Sequence, residues 1–194
     1  MSRPAHAVTL AAALALSGCS IISGPAPQTF TLTAPATIPN LRGSTSAQIL
    51  ITEPSALDAL NTERIVVTEG TQVSYYPGTQ WVDRLPVLIQ TKIVETFVNS
   101  GRAPAVGVPG EGLSIDYAIL TEVRAFEYDA ITGVARVDIF ARIMNDRNGR
   151  VVTTRLFSSA ATVPSDNAGT VSAALNLALQ DVLGQLVNWT LAAI

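Results

Sequence analysis

The sequence predicts an α+β fold, a two-layer sandwich in which two long helices pack on one face of an antiparallel or mixed sheet. In two long segments, apolar residues recur at three- and four-residue steps, which is typical of amphipathic helices. Between them, three successive runs alternate apolar and polar residues, as strands with one buried face do. Each kind of element must bury its apolar side against another, and two helices can cover one sheet face.

Short strands are predicted in the first half of the chain. β-Branched and aromatic residues indicate strands at residues 30–32, 48–52 and 65–67. Residues 72–76 are expected to pair with the third of these as a hairpin across Glu69-Gly70. Because proline interrupts regular strand pairing, residues 54–60 are interpreted as a short helical turn.

The first long helix is predicted to follow a turn at residues 75–78 and to extend to Asn99. Pro86 is tolerated only in the first helical turn, so Asp83 is the predicted N-cap and Trp81 precedes the helix. Gly101 is expected to end it in a left-handed conformation. One apolar face contains Trp81, Leu85, Leu88, Ile89, Ile93 and Phe97.

The second half of the chain predicts an antiparallel meander and a final helix. The alternating runs cover residues 113–124, 134–144 and 151–158, and a turn at 145–149 separates the last two. After Pro164-Ser165-Asp166, a second apolar stripe indicates a helix to the end of the sequence. That stripe, interpreted as core-facing, contains Val171, Leu175, Ala178, Val182, Leu186, Trp189 and Ala193.

The N-terminal segment predicts export. Arg3 precedes an apolar run over residues 7–16. The run is shorter than the roughly 20 apolar residues that span a bilayer, but it has the length of a signal-peptide core. The next residues, Leu16-Ser17-Gly18-Cys19, resemble the lipobox of bacterial lipoproteins. The alternative is a secreted soluble protein whose only cysteine happens to lie near an ordinary cleavage site.

The lipobox resemblance implies that residues 1–18 are a signal peptide and that Cys19 becomes the first mature residue. It also implies a diacylglyceryl group on the Cys19 thiol and an acyl group on its new amino group. Two or more acyl chains make membrane attachment stable. Residues 19–28 are then the lipidated N-terminus and an extended linker. Ser20 stands where an aspartate would imply retention in the inner membrane, so the resemblance implies the outer membrane.

Composition excludes several classes of function. Removal of residues 1–18 takes away Arg3 and the only histidine, His6, and leaves 11 basic and 15 acidic residues. A histidine-based triad or an imidazole or thiolate zinc site is therefore excluded, and a basic nucleic-acid interface is not indicated. No catalytic residue, metal site or cofactor beyond the acyl groups is predicted. A hydrolase that uses carboxylates alone stays an alternative.

Three aromatic residues are the candidate partner-binding positions. A tryptophan just outside a helix start can be half exposed and can anchor a partner, which makes Trp81 a candidate. Tyr75 and Tyr76, in the preceding turn, complete the set. Core packing of Trp81 is the alternative.

Several segments together resemble the ABC-type transport auxiliary lipoproteins, a family that includes paraquat-inducible lipoproteins. The similar segments extend from about Phe30 to the end of the chain and follow the lipobox. One departure is that the family's usual paired prolines after the tryptophan are reduced here to Pro86. The segments are Tyr75-Tyr76-Pro77, residues 81–86, the helix to Gly101, Phe126-Glu127, residues 135–137, 146–152 and 155–157.

The family resemblance implies that residues 29–194 form an ABC transport auxiliary lipoprotein domain, anchored at Cys19 and facing the periplasm of a Gram-negative envelope. The implied partners are a substrate-binding protein of the mammalian-cell-entry (MCE) type and the permease and ATPase of the same transporter. Such a protein would have no enzymatic role and would assist transport of lipids or other hydrophobic solutes. The alternative is a lipoprotein that itself binds and carries a lipid between its apolar helical faces.

Overall fold

A computed structural model describes residues 25–112 and 114–194. The predicted signal peptide, Cys19 and most of the linker lie outside these residues. The described part of the chain forms ten strands and two helices: β1 Gln28–Phe30, β2 Gln48–Ile51, β3 Ser55–Ala56, β4 Val66–Glu69, β5 Gln72–Tyr75, β6 Thr79–Trp81, α1 Leu85–Ser100, β7 Ala105–Gly107, β8 Tyr117–Asp129, β9 Val134–Asn145, β10 Arg150–Thr162 and α2 Ala168–Ala193. Neither helix is long and apolar enough to cross a membrane.

The main sheet is organised around β8. On one side β8 pairs with β9 in antiparallel register, and β9 pairs with β10, which forms one edge of the sheet. On its other side β8 pairs in parallel with three short strands in succession, first β2, then β3, then β4. β7 extends the sheet beyond β2, and β5 pairs antiparallel with β4. The sheet is therefore mixed, and both the predicted meander and the predicted hairpin are confirmed.

Both helices pack on one face of this sheet, as predicted. The inward residues of β9, at alternate positions from Ala135 to Ile143, are completely buried. Ile89, Ile93 and Phe97 of α1 and most of the predicted α2 stripe join them in one core. Near the end of that stripe Trp189 and Ala193 are only partly buried, and Trp189 packs edge-to-face on Phe157 at 5.4 Å between ring centroids.

The helix ends differ from the predictions by small steps. Arg84, and not Asp83, is the N-cap of α1, and Pro86 lies in the first turn. The Asp83 carboxylate accepts a hydrogen bond of 2.6 Å from the Arg84 N–H, outside the helix. Gly101 ends α1 at φ +61°, which confirms the left-handed cap. Asn167 caps α2, because its side chain accepts a hydrogen bond from the Thr170 N–H at 3.0 Å.

The helical turn predicted at residues 54–60 was wrong in its first part. Ser55 and Ala56 extend to pair with Glu122 and Val123 of β8, because the edge of the long strand offers unpaired hydrogen-bonding groups there. Only after them does the chain turn, and both the Leu60 and Asn61 N–H groups donate to the Leu57 carbonyl.

Residues 31–47 form a crossing segment, without regular secondary structure, that passes over α2. The Thr33 N–H donates to the Asn176 side chain at 2.8 Å, and the Arg42 N–H donates to the Asn188 side chain at 2.9 Å. The crossing segment thereby satisfies its own backbone with polar groups of α2. It connects a small parallel sheet of β1 and β6 to β2.

Candidate functional site

Trp81 lies in the core. It is 1% exposed and packs edge-to-face on Phe126, with ring centroids 5.8 Å apart. As part of β6, it is also held by a backbone hydrogen bond from its N–H to the Glu63 carbonyl. The alternative of core packing therefore describes this residue, and its side chain offers no surface to a partner.

Tyr75 and Tyr76 remain partly exposed, beside a depression of about 260 Å³ between the β4–β5 hairpin and the residues before α2. The Tyr76 hydroxyl donates a 2.9 Å hydrogen bond to the Asp166 carboxylate. Burial, and then the hydrogen bond and charge of Asp166, raise the pKa of Tyr76. The guanidinium of Arg64 lies 3.5 Å from the centre of the Tyr75 ring.

The chemistry available in this depression is that of a contact surface. Burial also raises the pKa of Tyr128, which lines the same depression. With raised pKa values, both phenols stay protonated at neutral pH, so neither acts as a base. The Tyr76 hydroxyl acts as a hydrogen-bond donor. A stacked arginine and phenols with apolar bodies suit protein recognition.

A second exposed feature lies on the outer sheet face, the face opposite the two helices. Phe140 of β9 is half-buried there between two arginines, with Arg124 at 4.3 Å and Arg142 at 5.9 Å from its ring centre. Leu156 of β10 is directly opposite Phe140 in the register and is 47% exposed. Aromatic rings and guanidinium groups are enriched in protein interfaces, and Leu156 adds exposed apolar area beside them.

The outer sheet face also carries two carboxylates on neighbouring strands, Glu127 and Asp138. Asp138 is 5% exposed and forms an ion pair with Arg136, which lies directly opposite Glu127 in the register. Burial raises the pKa of Glu127, while Arg136 partly offsets this effect. Because the guanidinium between the two acids already neutralises Asp138, the arrangement is an ion-pair network and not an acid–base pair facing a cleft.

A second hollow, of about 370 Å³, forms where the start of β2 meets the β9–β10 turn. The Asp116 carboxylate accepts hydrogen bonds there from the Gln48 N–H at 3.0 Å and from Arg147 at 2.6 Å. These two donors lower the pKa of Asp116. The carboxylate is thus engaged in holding two chain segments together. Within residues 25–112 and 114–194, no cluster of three or more histidine, cysteine or acidic side chains could hold a metal.

In the described part of the chain, the apolar faces of the two helices pack with the sheet in one core. The hollows described above are open depressions at the surface.

Sequence reasoning missed the Phe140 cluster, although a signal for it exists. In β9 the inward positions are all apolar, so Phe140 is an aromatic residue at an outward position, between Asp138 and Arg142. A large apolar side chain at an outward position breaks the alternation of apolar and polar residues along the strand. The cluster around it depends on Arg124, which lies at a bulge in β8 that no local pattern identifies.

Comparison with known proteins gives a family and a fold. The family model described as "ABC-type transport auxiliary lipoprotein component" matches residues 30–187. The chain is 29% identical over 168 residues to an uncharacterized protein of Bradyrhizobium diazoefficiens. That match covers 86% of this chain but 45% of the relative, so the chain spans less than half of that protein's length.

Two crystal structures are similar to most of the described fold. A protein from Xanthomonas campestris superposes with a TM-score of 0.80 at 28% identity, and the match covers 86% of this chain and 95% of that one. A second, uncharacterized protein has a TM-score of 0.66 at 14% identity, covering 84% and 98%, which is a likeness of fold alone.

Proposed function

Since the chain belongs to the family of ABC-type transport auxiliary lipoprotein components, we propose that it is an accessory of an MCE-type transporter in a Gram-negative envelope. It faces the periplasm, docks on the MCE-type substrate-binding component and assists movement of lipids or other hydrophobic solutes. The permease and ATPase of the same system supply the energy. The observation that carries this proposal is the family match over residues 30–187.

The proposed anchor is a lipidated Cys19 in the outer membrane. The lipobox Leu16 to Cys19 and the serine that follows it support this assignment. A linker of nine residues reaches at most about 30 Å, at roughly 3.3 to 3.6 Å per residue. The domain is therefore held close to its membrane, and the partner must extend to meet it.

A role by contact agrees with the chemistry of the surface. The exposed features are phenol rings, an arginine-flanked phenylalanine and an exposed leucine, which recognise other proteins. Asp138 and Asp116, the carboxylates most tightly held, are engaged in ion pairs. We assign docking to such surfaces and no chemical step to this chain.

Affinity purification from envelope extracts tests the proposal. The mature protein is expected to recover an MCE-type protein together with permease or ATPase. The amount of transporter component recovered by Tyr75→Ser and by Phe140→Ser should each be compared with the amount recovered by Val98→Ser. Val98 is a suitable control because it is a 63% exposed valine on α1, remote from both features. Recovery of no transporter component by the wild type would remove the proposal.

Native mass spectrometry addresses the alternative of lipid carriage. The Cys19→Ser protein, which cannot be acylated at this position, is expected to be free of bound lipid. Stoichiometric lipid on this variant would replace the docking role with that of a carrier.

A further inference from the structure

β10 is a long strand with one unpaired side. It extends over 13 residues, from Arg150 to Thr162, and β9 is its sole strand partner within residues 25–112 and 114–194. The side of β10 that faces away from β9, here called the β10 edge, therefore presents a row of backbone N–H and C=O groups. Such an edge is a template on which another strand can pair.

The second half of the β10 edge, residues 156–162, lacks the usual protection of an exposed strand. Native edges are commonly blocked by charged residues, prolines or bulges. Residues 156–162 contain no charge and no proline, and a bulge is present only near the beginning of the strand, between Val151 and Thr153. The strand also exposes three apolar side chains, Val151 by 52%, Val152 by 47% and Leu156 by 47%. An edge strand without a partner would be expected to carry polar side chains at such positions.

Charge is distributed unevenly around this edge. Residues 134–162, the β9–β10 hairpin, contain five arginines and two aspartates, although the chain after Cys19 is acidic overall. Arg136 and Arg147 are paired with Asp138 and Asp116. The positive charge that a pairing strand meets is therefore that of Arg150 and Arg155 in β10 itself, and acidic side chains beside them would be favoured. The arginines of the hairpin are Arg136, Arg142, Arg147, Arg150 and Arg155.

An apolar hollow of about 260 Å³ lies at the C-terminal end of the β10 edge. Thr162, Pro164, Ala173 and Leu177 line it where β10 ends and α2 begins, and Leu177 is 61% exposed. In strand addition, backbone hydrogen bonds supply affinity and pockets for alternate side chains supply specificity. This hollow could hold one apolar side chain of an added strand.

We propose that the β10 edge accepts an extended segment of another protein, alternating apolar and acidic residues, as an additional strand. The inference rests on the proposed function, because the donor is taken to be a component of the same transporter. It identifies the docking surface as a sheet edge. Arg155 lies on the α2 side of the sheet together with Phe157, so the acids of the donor lie on that side and its apolar side chains lie beside Leu156 on the outer sheet face.

A second copy of this chain is a poorer occupant of the β10 edge. The short strands at the opposite side of the sheet, β5 and β7, have four and three residues and cannot match a 13-residue edge. Pairing of β10 with β10 would bring together two hairpins that each carry excess positive charge, and like charges across a strand pair are destabilising.

The test uses a fluorescent decapeptide of alternating valine and glutamate, with a lysine-for-glutamate peptide as its counterpart. Binding to the Cys19→Ser protein is measured by fluorescence anisotropy at low salt. The glutamate peptide should bind at least about tenfold more tightly, since complementary charge on an interface raises affinity and opposite placement lowers it. Equal affinity of the two peptides would overturn the inference.

Charge reversal locates the binding surface. Arg150→Glu/Arg155→Glu should abolish most of the preference for the glutamate peptide, and Arg150→Gln/Arg155→Gln should give an intermediate result. The matched control is Arg42→Glu/Arg102→Glu, at two exposed arginines outside the hairpin. An unchanged preference in the β10 reversal, with native circular dichroism, contradicts the proposal.

Hydrogen exchange identifies the contact at the backbone. Saturating glutamate peptide should slow exchange of amides within residues 150–162, and protection elsewhere would overturn the inference. Self-association that the β10 reversal abolishes would instead assign the edge to a second copy. If the transporter component is recovered from envelopes while the peptide fails to bind, this inference falls and the proposed function stands. If the peptide binds but no transporter component is recovered, the proposed function falls and the assignment of β10 as a strand-accepting edge stands.

Discussion

The crossing segment makes one backbone approach to α2 that leaves no room for a side chain. Gly43 has φ +79°, and a Cβ atom added there would lie 2.4 Å from the Leu191 carbonyl oxygen. An alanine in the left-handed region costs about 1–2 kcal/mol. Displacement of a packed neighbour adds roughly 1–3 kcal/mol. Gly43→Ala should therefore lower the free energy of unfolding by roughly 2–5 kcal/mol.

Gly101→Ala is the matched control, because Gly101 has φ +61° and no atom within 4 Å of an added Cβ. It should cost only the conformational part, about 1–2 kcal/mol. Chemical denaturation of both variants in the Cys19→Ser background measures the difference. Equal losses, or a larger loss for Gly101→Ala, would refute the close approach of the crossing segment to α2.

Three further predictions follow from burial and charge. Trp81→Ala should lower the free energy of unfolding by about 3–5 kcal/mol in denaturation experiments, because the ring is 1% exposed. Its control is Val82→Ala, at a neighbour that is 57% exposed, which should change the free energy of unfolding by no more than about 0.5 kcal/mol. Because the pKa of Glu127 is raised in the fold, its stabilising contribution exists at low pH and is lost as pH rises through that raised pKa. Glu127→Gln should accordingly be more stable than the wild type at neutral pH, and the stabilities of the two proteins should converge at a pH below 4.5, the ordinary pKa of a glutamate. Greater stability of the wild type at neutral pH would contradict this. The pKa of Asp116 is lowered in the fold, so its stabilising contribution exists at neutral pH and is lost as pH falls through the lowered pKa. Asp116→Asn should therefore lose less stability than the wild type on acidification, measured by denaturation at neutral and at acidic pH. An unchanged pH dependence would contradict the hydrogen bonds assigned to Asp116.

The helices and the meander could be predicted because their own sequences contain the pattern that folds them. The stripe of α2 from Val171 to Leu186 and the alternation of β9 from Ala135 to Ile143 each extend over three or more turns or repeats. A periodic signal of that length specifies both the type of element and its buried face. The left-handed residue Gly101 is likewise a local requirement.

The parallel pairing of the short strands could not be predicted, because it depends on distant residues. β3, β6 and β7 have two or three residues each, too few for any period. Ser55 and Ala56 are extended only because the edge of β8 lies beside them. The sequence around Trp81 admits both a core and a partner-binding interpretation for the same reason, since the strand that buries it pairs with β1, some fifty residues earlier in the chain.

The surface features of the candidate site depend even more on tertiary contacts. Arg124 and Arg142 reach the Phe140 ring from different strands, and their proximity depends on the register of β8 against β9. The exposure of the β10 edge depends on where the sheet ends, a property that no single strand encodes.

Incorporation of labelled palmitate tests most directly the claim that this chain acts from a membrane through a lipid on Cys19. Cells that express the wild type should yield labelled protein in the membrane fraction. Cells that express Cys19→Ser should yield unlabelled protein, because no other cysteine can accept the diacylglyceryl group. A wild type that stays as unlabelled as Cys19→Ser would contradict the account.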